Sequence, residues 1–145
     1  MPTSEHRYRR RVQFYETDAA GVVHFTWYPR YMEEAEHAMW REAGLSIAPA
    51  GGDVGFPRVA CAVDFQAPLH FEDEFEVWIR IEAISAKSIR YGCTITRGDT
   101  QVATGTMTAV CVRKTPAPMR AIEIPKDIAD RFGVSRPSSV PGRRS

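Results

Sequence analysis

One segment of this sequence repeats with a helical period, and nearly all the other regular stretches alternate with period two. From Trp27 to Ala43 the apolar residues Tyr28, Met32, Ala35 and Met39 fall at helical spacing, with Glu33, Glu34, Glu36 and Arg41 between them. Gly44 follows as a residue suited to a left-handed helix end. The spacing predicts one helix of about four to five turns, roughly 25 Å long at 1.5 Å per residue. Elsewhere Val59, Cys61, Val63 and Phe65 alternate ahead of Pro68. Phe75, Val77, Ile79, Ile81 and Ala83 alternate with Glu74, Glu76, Arg80 and Glu82, and Trp78 is the exception on the polar side. Ile89, Tyr91, Cys93 and Ile95 repeat the pattern against Ser88, Arg90, Thr94 and Thr96. Arg97-Gly98-Asp99 is a turn signal leading into Gln101–Lys114, and Val12 and Phe14 start a strand near the N-terminus. About five strands, mostly neighbours in sequence, give a largely antiparallel sheet. The expectation is an α+β domain, one sheet packed on one main helix.

The ends of the domain follow from composition. Residues 1–5 read as a loose terminus, and residues 134–145, polar and basic with two prolines and a glycine, read as a disordered tail, which leaves 1–133 as the domain. A short helix near Lys126–Phe132 follows Pro125, which suits its first position. The 19 Lys and Arg against 18 Asp and Glu leave a net charge of +1, which argues against a nucleic-acid partner. No apolar run approaches the ~20 residues that span a bilayer. No apolar stretch follows the basic N-terminus, so the expectation is a cytoplasmic protein without a signal peptide or a membrane partner. Cys61, Cys93 and Cys111 are three cysteines at long spacing with no CxxC, which speaks against a disulfide framework or structural zinc. Cys61 and Cys93 fall in the apolar phase of strands and read as small buried hydrophobes. The run Arg7, Arg9, Arg10 and Arg11 reads as a solvated strand face, with a basic patch for a phosphorylated ligand as the sharper alternative.

The chemistry concentrates between the first strand and the helix, in Phe14-Tyr15-Glu16-Thr17-Asp18-Ala19-Ala20-Gly21-Val22-Val23-His24-Phe25. Gly21 permits a tight turn. Val22, Val23 and Phe25 are apolar, which is unusual for an exposed loop and implies a packed one. Asp18 then lies beside a helix N-terminus whose unpaired N–H groups suit a developing oxyanion. A carboxylate and an oxyanion donor within a few residues make a compact acyl-transfer site. The structural alternative for Asp18 is an N-cap or Asx-turn role. His24 is either an acid–base partner or substrate contact, or a packed histidine bonded to backbone. Trp27, Trp40 and Trp78 either line an acyl pocket or pack in the core or a subunit interface. Glu33 and Glu34 either position water near a neighbouring subunit or form a solvated helix face. His37 with Glu33 and Glu34 lacks a third ligand at metal spacing and reads as a helical charge pair, and His70 reads as exposed.

The stretches Thr17-Asp18-Ala19-Ala20-Gly21-Val22-Val23-His24-Phe25 and Tyr28-Pro29-Arg30-Tyr31-Met32-Glu33-Glu34-Ala35 resemble the hotdog-fold thioesterases of the 4-hydroxybenzoyl-CoA thioesterase family, which include the Tol–Pal-associated acyl-CoA thioesterases. The resemblance continues in Phe56-Pro57-Arg58-Val59, Ala67-Pro68-Leu69, Lys87-Ser88 and Arg120-Ala121-Ile122-Glu123-Ile124-Pro125, so it covers residues 7–130. It implies a hotdog, a curved antiparallel sheet wrapped around one long helix, and hydrolysis of an acyl-CoA thioester without a cofactor or metal. It further implies Asp18 as nucleophile or general base and the Phe25 backbone N–H as the group polarising the carbonyl. Gly21 shapes the loop, and Lys87, Ser88, Arg90, Trp27, Tyr31 and Arg58 contact substrate. Two departures are visible. Phe25 stands where many Tol–Pal-associated members carry histidine, with His24 one place earlier. Of the basic cluster that grips CoA phosphates only Lys87 matches, while Ser85 and Ala86 replace arginines and Arg90 is the nearby substitute. Hotdog relatives pair into dimers and tetramers with active sites between subunits, so a homo-oligomer is expected. Two other functions fit the same residues: an acyl-thioester hydratase or dehydratase using Asp18 with His24, and a non-catalytic module that binds acyl-CoA or acyl-carrier protein.

Overall fold

The helical period becomes a single long helix, and the alternating stretches become a sheet laid against it. The computed structural model describes residues 1–136; residues 137–145, most of the expected tail, lie outside them. In chain order the elements are β1 (Glu5–Arg11), a 3-10 turn at Phe14–Glu16, α1 (Trp27–Glu42), β2 (Val54–Gly55), β3 (Arg58–Phe65), β4 (Glu74–Ile84), β5 (Ser88–Arg97), β6 (Thr100–Val110), β7 (Val112–Arg113), β8 (Arg120–Ala121) and α2 (Lys126–Ala129). Five strands form one sheet in the order β1-β4-β5-β6-β3, every neighbouring pair antiparallel. This is the large antiparallel sheet and single long helix that a hotdog requires.

The core is the meeting of two periodicities. On α1, Tyr28, Tyr31, Met32, Ala35, Met39 and Trp40 are buried. They meet the inward residues of β4 (Phe75, Val77, Ile79, Ile81) and of β5 (Ile89, Tyr91, Cys93, Ile95) in one cluster. Each large side chain so buried contributes roughly 1.5–3 kcal/mol. Gly44, at φ 84°, ends the helix in the left-handed region, as its position implied.

Several expectations need correction. Among the described residues the strands number eight in two sheets, because β2, β7 and β8 form a second sheet in the order β2-β7-β8. Each of these is two residues long, too short to show alternation. The N-terminal strand is Glu5–Arg11; Val12 follows it, and Phe14 opens the 3-10 turn. The first residues are tied down, with Thr3 bridged to Phe132. At the other end the N–H of Ser135, the second residue of the expected tail, bonds to the Ile81 carbonyl at 2.8 Å. The short second helix is Lys126–Ala129, with Pro125 as its N-cap and not its first residue. The strand from Arg58 to Phe65 has no dry face, and Cys61 is exposed while Cys93 is buried. The reason is position: β3 is the sheet edge, and α1 lies chiefly over β1 and β4.

The arginine-rich β1 is a solvated face at Arg7, Arg9 and Arg11, but Arg10 turns inward. Glu16 is fully buried and accepts from Arg10 Nη1 at 2.7 Å, the Tyr31 hydroxyl at 2.9 Å and the Gln13 backbone N–H at 2.8 Å. Arg10 Nη2 lies 2.5 Å from the second Glu16 oxygen, and Arg10 Nε donates to Glu34 at 2.6 Å. Burial by itself would raise the Glu16 pKa. Arg10, the Gln13 N–H and Tyr31 outweigh it and hold the carboxyl below its ordinary 4.5. Its stabilising effect is therefore present above pH 4.5 and is lost as the pH falls through the lowered value. Replacing Arg10 with Ala strands a buried carboxylate and should destabilise the chain by about 3–5 kcal/mol at pH 7, read from urea unfolding. A loss under about 1 kcal/mol would mean the carboxylate finds another partner or water.

Candidate active site

The stretch from Gln13 to Thr26 is a tight hairpin pinned at its base. Thr17 and Val23 face each other as an antiparallel bridge, the Asp18 N–H bonds to the Val22 carbonyl at 2.8 Å, and the His24 N–H bonds to the Glu16 carbonyl at 2.9 Å. Gly21 takes φ 83° at the tip, where its N–H bonds back to the Asp18 carbonyl at 2.9 Å. The second arm is fastened to the β3–β4 connection by the Val23 N–H, which donates to Leu69 at 2.8 Å, and by a Val22–His70 bridge.

Asp18 makes the Asx turn that its position suggested. Its Oδ1 accepts the Ala20 N–H at 2.9 Å. Among the described residues its other oxygen has no hydrogen-bond partner, so one oxygen shapes the turn and the other is available. His24 does not pair with Asp18. Its Nδ1 lies 2.8 Å from the Thr26 hydroxyl and accepts the Thr26 N–H at 3.3 Å, and its ring packs 4.7 Å from that of Phe25. The Trp27 N–H donates to the His24 carbonyl at 3.0 Å and the Tyr28 N–H to the Phe25 carbonyl at 3.4 Å. The Phe25 N–H, flanked by these satisfied groups, has no acceptor among the described residues. An unpaired donor at a helix start suits an anion or a polarised carbonyl.

Two shallow grooves flank this helix start. One, of about 320 Å³, is lined by Val23, Phe25, Tyr28, Phe65 and the Gln66–Pro68 stretch. The other, of about 340 Å³, runs between the first turns of α1 and β3 and is lined by Thr26, Pro29, Arg30, Glu33, Arg58, Cys61 and Met107. Arg58 thus lies in a groove, and Trp27 is half-buried beside Tyr15 and Tyr31. Tyr31 is fully buried, spends its hydroxyl on Glu16 and lines neither groove. Trp40 is core. Lys87 and Ser88 lie in the turn beyond Ile84 at the far end of the sheet, and Arg90 is paired opposite Ala83 at that end, whereas the Asp18 hairpin joins the chain near Asp73. The eleven residues of β4 separate the two regions by roughly 30 Å at 3.3 Å per residue. Arg90 pairs with Glu82 at 3.1 Å, and the Ser85 and Ser88 hydroxyls bond each other at 2.6 Å.

Two buried acids escaped the sequence reading. Glu16 is one. The other is Glu36, read as a polar spacer on α1 but fully buried. The signal was present: Glu36 is four residues after Met32 and three before Met39, on the apolar stripe. It pairs with Arg58, which also donates to Glu33 at 3.1 Å and to the Phe56 carbonyl at 3.0 Å. Burial raises Glu36 to about 7, against the opposing pull of Arg58. Burial likewise pushes the Cys93 thiol up to about 12, which leaves it protonated and unsuited to act as a nucleophile. No group of three or more His, Cys, Asp or Glu among the described residues is arranged to hold a metal ion, and no described helix is long and apolar enough to cross a membrane.

With this geometry in view, comparison with known proteins gives consistent matches. A model of the thioesterase-like superfamily matches residues 12–132. A protein of Aquifex aeolicus, provisionally named an esterase, is 34% identical over 126 residues, covering 85% of this chain and 94% of that one. The crystal structure of a 1,4-dihydroxy-2-naphthoyl-CoA thioesterase from Synechocystis superposes with a TM-score of 0.81 at 26% identity, over 88% of this chain and 95% of that one. The structure of a gentisyl-coenzyme A thioesterase superposes with a TM-score of 0.80 at 28% identity, over 88% of this chain and 100% of that one.

The raised Glu36 pKa has a measurable sign. The native state holds a proton on Glu36 up to about pH 7, whereas the unfolded chain releases it near 4.5. Its contribution is thus complete below pH 4.5 and lost as the pH rises through about 7. The groups facing it are Arg58 from β3, Tyr91 and Cys93 from β5, and Glu33 and His37 from α1. Between pH 4.5 and 8, wild type should lose about 3 kcal/mol more unfolding free energy than Glu36→Gln, by denaturant titration. Parallel pH profiles would show that Glu36 stays ionised throughout.

Proposed function

The chain belongs to the thioesterase-like superfamily, and on that premise we propose that it hydrolyses an acyl-CoA thioester at the Asp18–Phe25 hairpin. The observation that carries this reading is the Phe25 N–H, unpaired among the described residues, at the start of α1, on the same short hairpin as an Asp18 carboxylate with one oxygen likewise uncommitted. The thioester carbonyl oxygen accepts from the Phe25 N–H, which stabilises the negative charge that develops there. Asp18 then acts in one of two ways. It attacks the carbonyl carbon, the C–S bond breaks, CoA thiolate leaves, and water hydrolyses the resulting anhydride. Otherwise it takes a proton from a water that attacks directly. Gly21 holds the turn. The bonds of His24 to Thr26 favour a role in fixing the helix start over an acid–base role, which weighs against a hydratase.

Arg58 is the expected substrate-contact residue that a groove supports; Trp27 and Tyr31 line neither groove, and Tyr31 acts only through Glu16. The aromatic edges around the hairpin suit an aromatic acyl group, and two structural neighbours are named for aromatic acyl-CoA substrates. The distance of Lys87, Ser88 and Arg90 from Asp18 means that one chain does not hold both ends of one substrate. A second copy supplying the CoA-phosphate contacts removes that difficulty. The unpaired β3 edge, with Val59 62% and Phe65 51% exposed, supports such a homodimer or a tetramer built from it.

Replacing Asp18 with Asn should lower kcat/KM for the best acyl-CoA at least about 100-fold in a thiol-release assay. Undiminished turnover would remove Asp18 from the chemistry. Tight acyl-CoA binding without thiol release from any short, long or aromatic substrate would favour the binding-module reading. Light scattering at micromolar concentration should give a dimer or tetramer mass.

A further inference from the structure

The groove between α1 and β3 begins at Thr26, next to the Phe25 N–H, and ends at Glu33 and Arg58. From its first residue, Trp27, to Glu33 the helix rises roughly 9 Å at 1.5 Å per residue, with Phe25 and Thr26 just ahead of it. An acyl group whose carbonyl sits at the Phe25 N–H and which lies along this groove therefore brings its far edge to Arg58. The way is walled by Pro29, Cys61 and Met107 and by Arg30, whose guanidinium lies 5.3 Å over the Trp27 ring; at the end stands the Arg58 cation beside Glu33.

That cation is held from behind. Arg58 Nη2 donates to Glu36, whose carboxyl group is fully buried, and Arg58 Nη1 donates to the Phe56 carbonyl at 3.0 Å. Among the described residues, Glu36 Oε2 is buried without a hydrogen-bond partner. Glu36 interacts with Tyr91, whose hydroxyl accepts from Trp40 Nε1 at 3.1 Å, so the anchor is itself braced against the core. A buried carboxylate in a half-satisfied setting costs stability, and an apolar residue of similar size would serve the packing better. What the acid does is fix the direction of a guanidinium whose side chain is only 25% exposed. A guanidinium has five N–H donors, and its bonds to Phe56, Glu33 and Glu36 use three.

We infer that Arg58, positioned by the buried Glu36, is the specificity-determining residue for the far end of the acyl group, and that it selects acyl groups bearing a hydrogen-bond acceptor oxygen there. This rests on the thioesterase reading and deepens it. Glu36 is a positioning residue that acts through Arg58. The site discriminates because a substrate without the oxygen leaves desolvated N–H donors unpaired.

The test is a matched pair, 4-hydroxybenzoyl-CoA and benzoyl-CoA, assayed on the full chain by thiol release. Wild type should favour the hydroxylated substrate in kcat/KM. Arg58→Met should reduce that preference about tenfold, the size of one hydrogen bond to a charged group. Assayed at pH 8, above the raised Glu36 value of about 7, Glu36→Gln should reduce it in the same direction by a smaller factor, because the amide still bonds Arg58 but no longer attracts it. A purely structural role would lower both substrates together and leave their ratio alone. A wild-type ratio below one, or a ratio in Arg58→Met within threefold of wild type, overturns the inference. If Arg58→Met does not fold, Arg58→Lys reads the same ratio, since it keeps the charge and loses the planar fork. Calorimetric titration of both CoA esters into Asp18→Asn protein, with and without the Arg58 change, reads the preference as binding. Loss of turnover with that binding preference intact would count against the hydrolytic reading and not against Arg58.

Discussion

The fully buried Glu16 carboxylate is the contact on which the rest of the site depends. It receives β1 through Arg10, the helix through Tyr31 and the hairpin through the Gln13 N–H, so three elements distant in sequence share one anion. Its own backbone carbonyl accepts the His24 N–H. One residue therefore fixes both arms of the loop that presents Asp18 and Phe25. Because all three donors come from inside the protein, the anion costs little to keep charged, and its pKa falls despite burial.

Glu36 is the counterexample in the same helix neighbourhood. It too is fully buried, but its cation Arg58 is shared with Glu33 and is more exposed than Arg10, and Glu33 adds a like charge nearby. Its pKa rises where that of Glu16 falls. Two carboxylates of equal burial thus differ in sign because of how many donors meet them, and only the first contributes to holding the fold together at neutral pH.

The parts of the fold legible in the sequence were those with long periods. The helix stripe of Tyr28, Met32, Ala35 and Met39 and the alternation through β4 and β5 each run over ten or more residues, and they appear where the pattern put them. Two-residue strands carry no period and were invisible. The alternation of Val59, Cys61, Val63 and Phe65 misled because period two shows that a strand exists but not whether its faces are covered. The buried acids were hidden for another reason: the cation that makes each tolerable lies elsewhere in the chain, 22 residues away for Glu36 and Arg58. Asp18 was legible as both a turn former and a reactive candidate. The turn role is the one seen, with one oxygen bonded to Ala20; the other oxygen, uncommitted among the described residues, is the one the proposed mechanism uses.

The unpaired amide at position 25 has one more consequence. A donor carried by the main chain is present in nineteen of the twenty amino acids, and only proline deletes it. The side chain at that position is therefore released from the chemistry. Phe25 is 64% exposed and lines a groove, so exchanging it alters the wall that a ligand meets without altering the group that would polarise a carbonyl. Under the proposed mechanism, selectivity and reactivity are carried at one residue by atoms that can change independently. A lineage built on this hairpin would then drift from ligand to ligand at that site with its oxyanion donor intact.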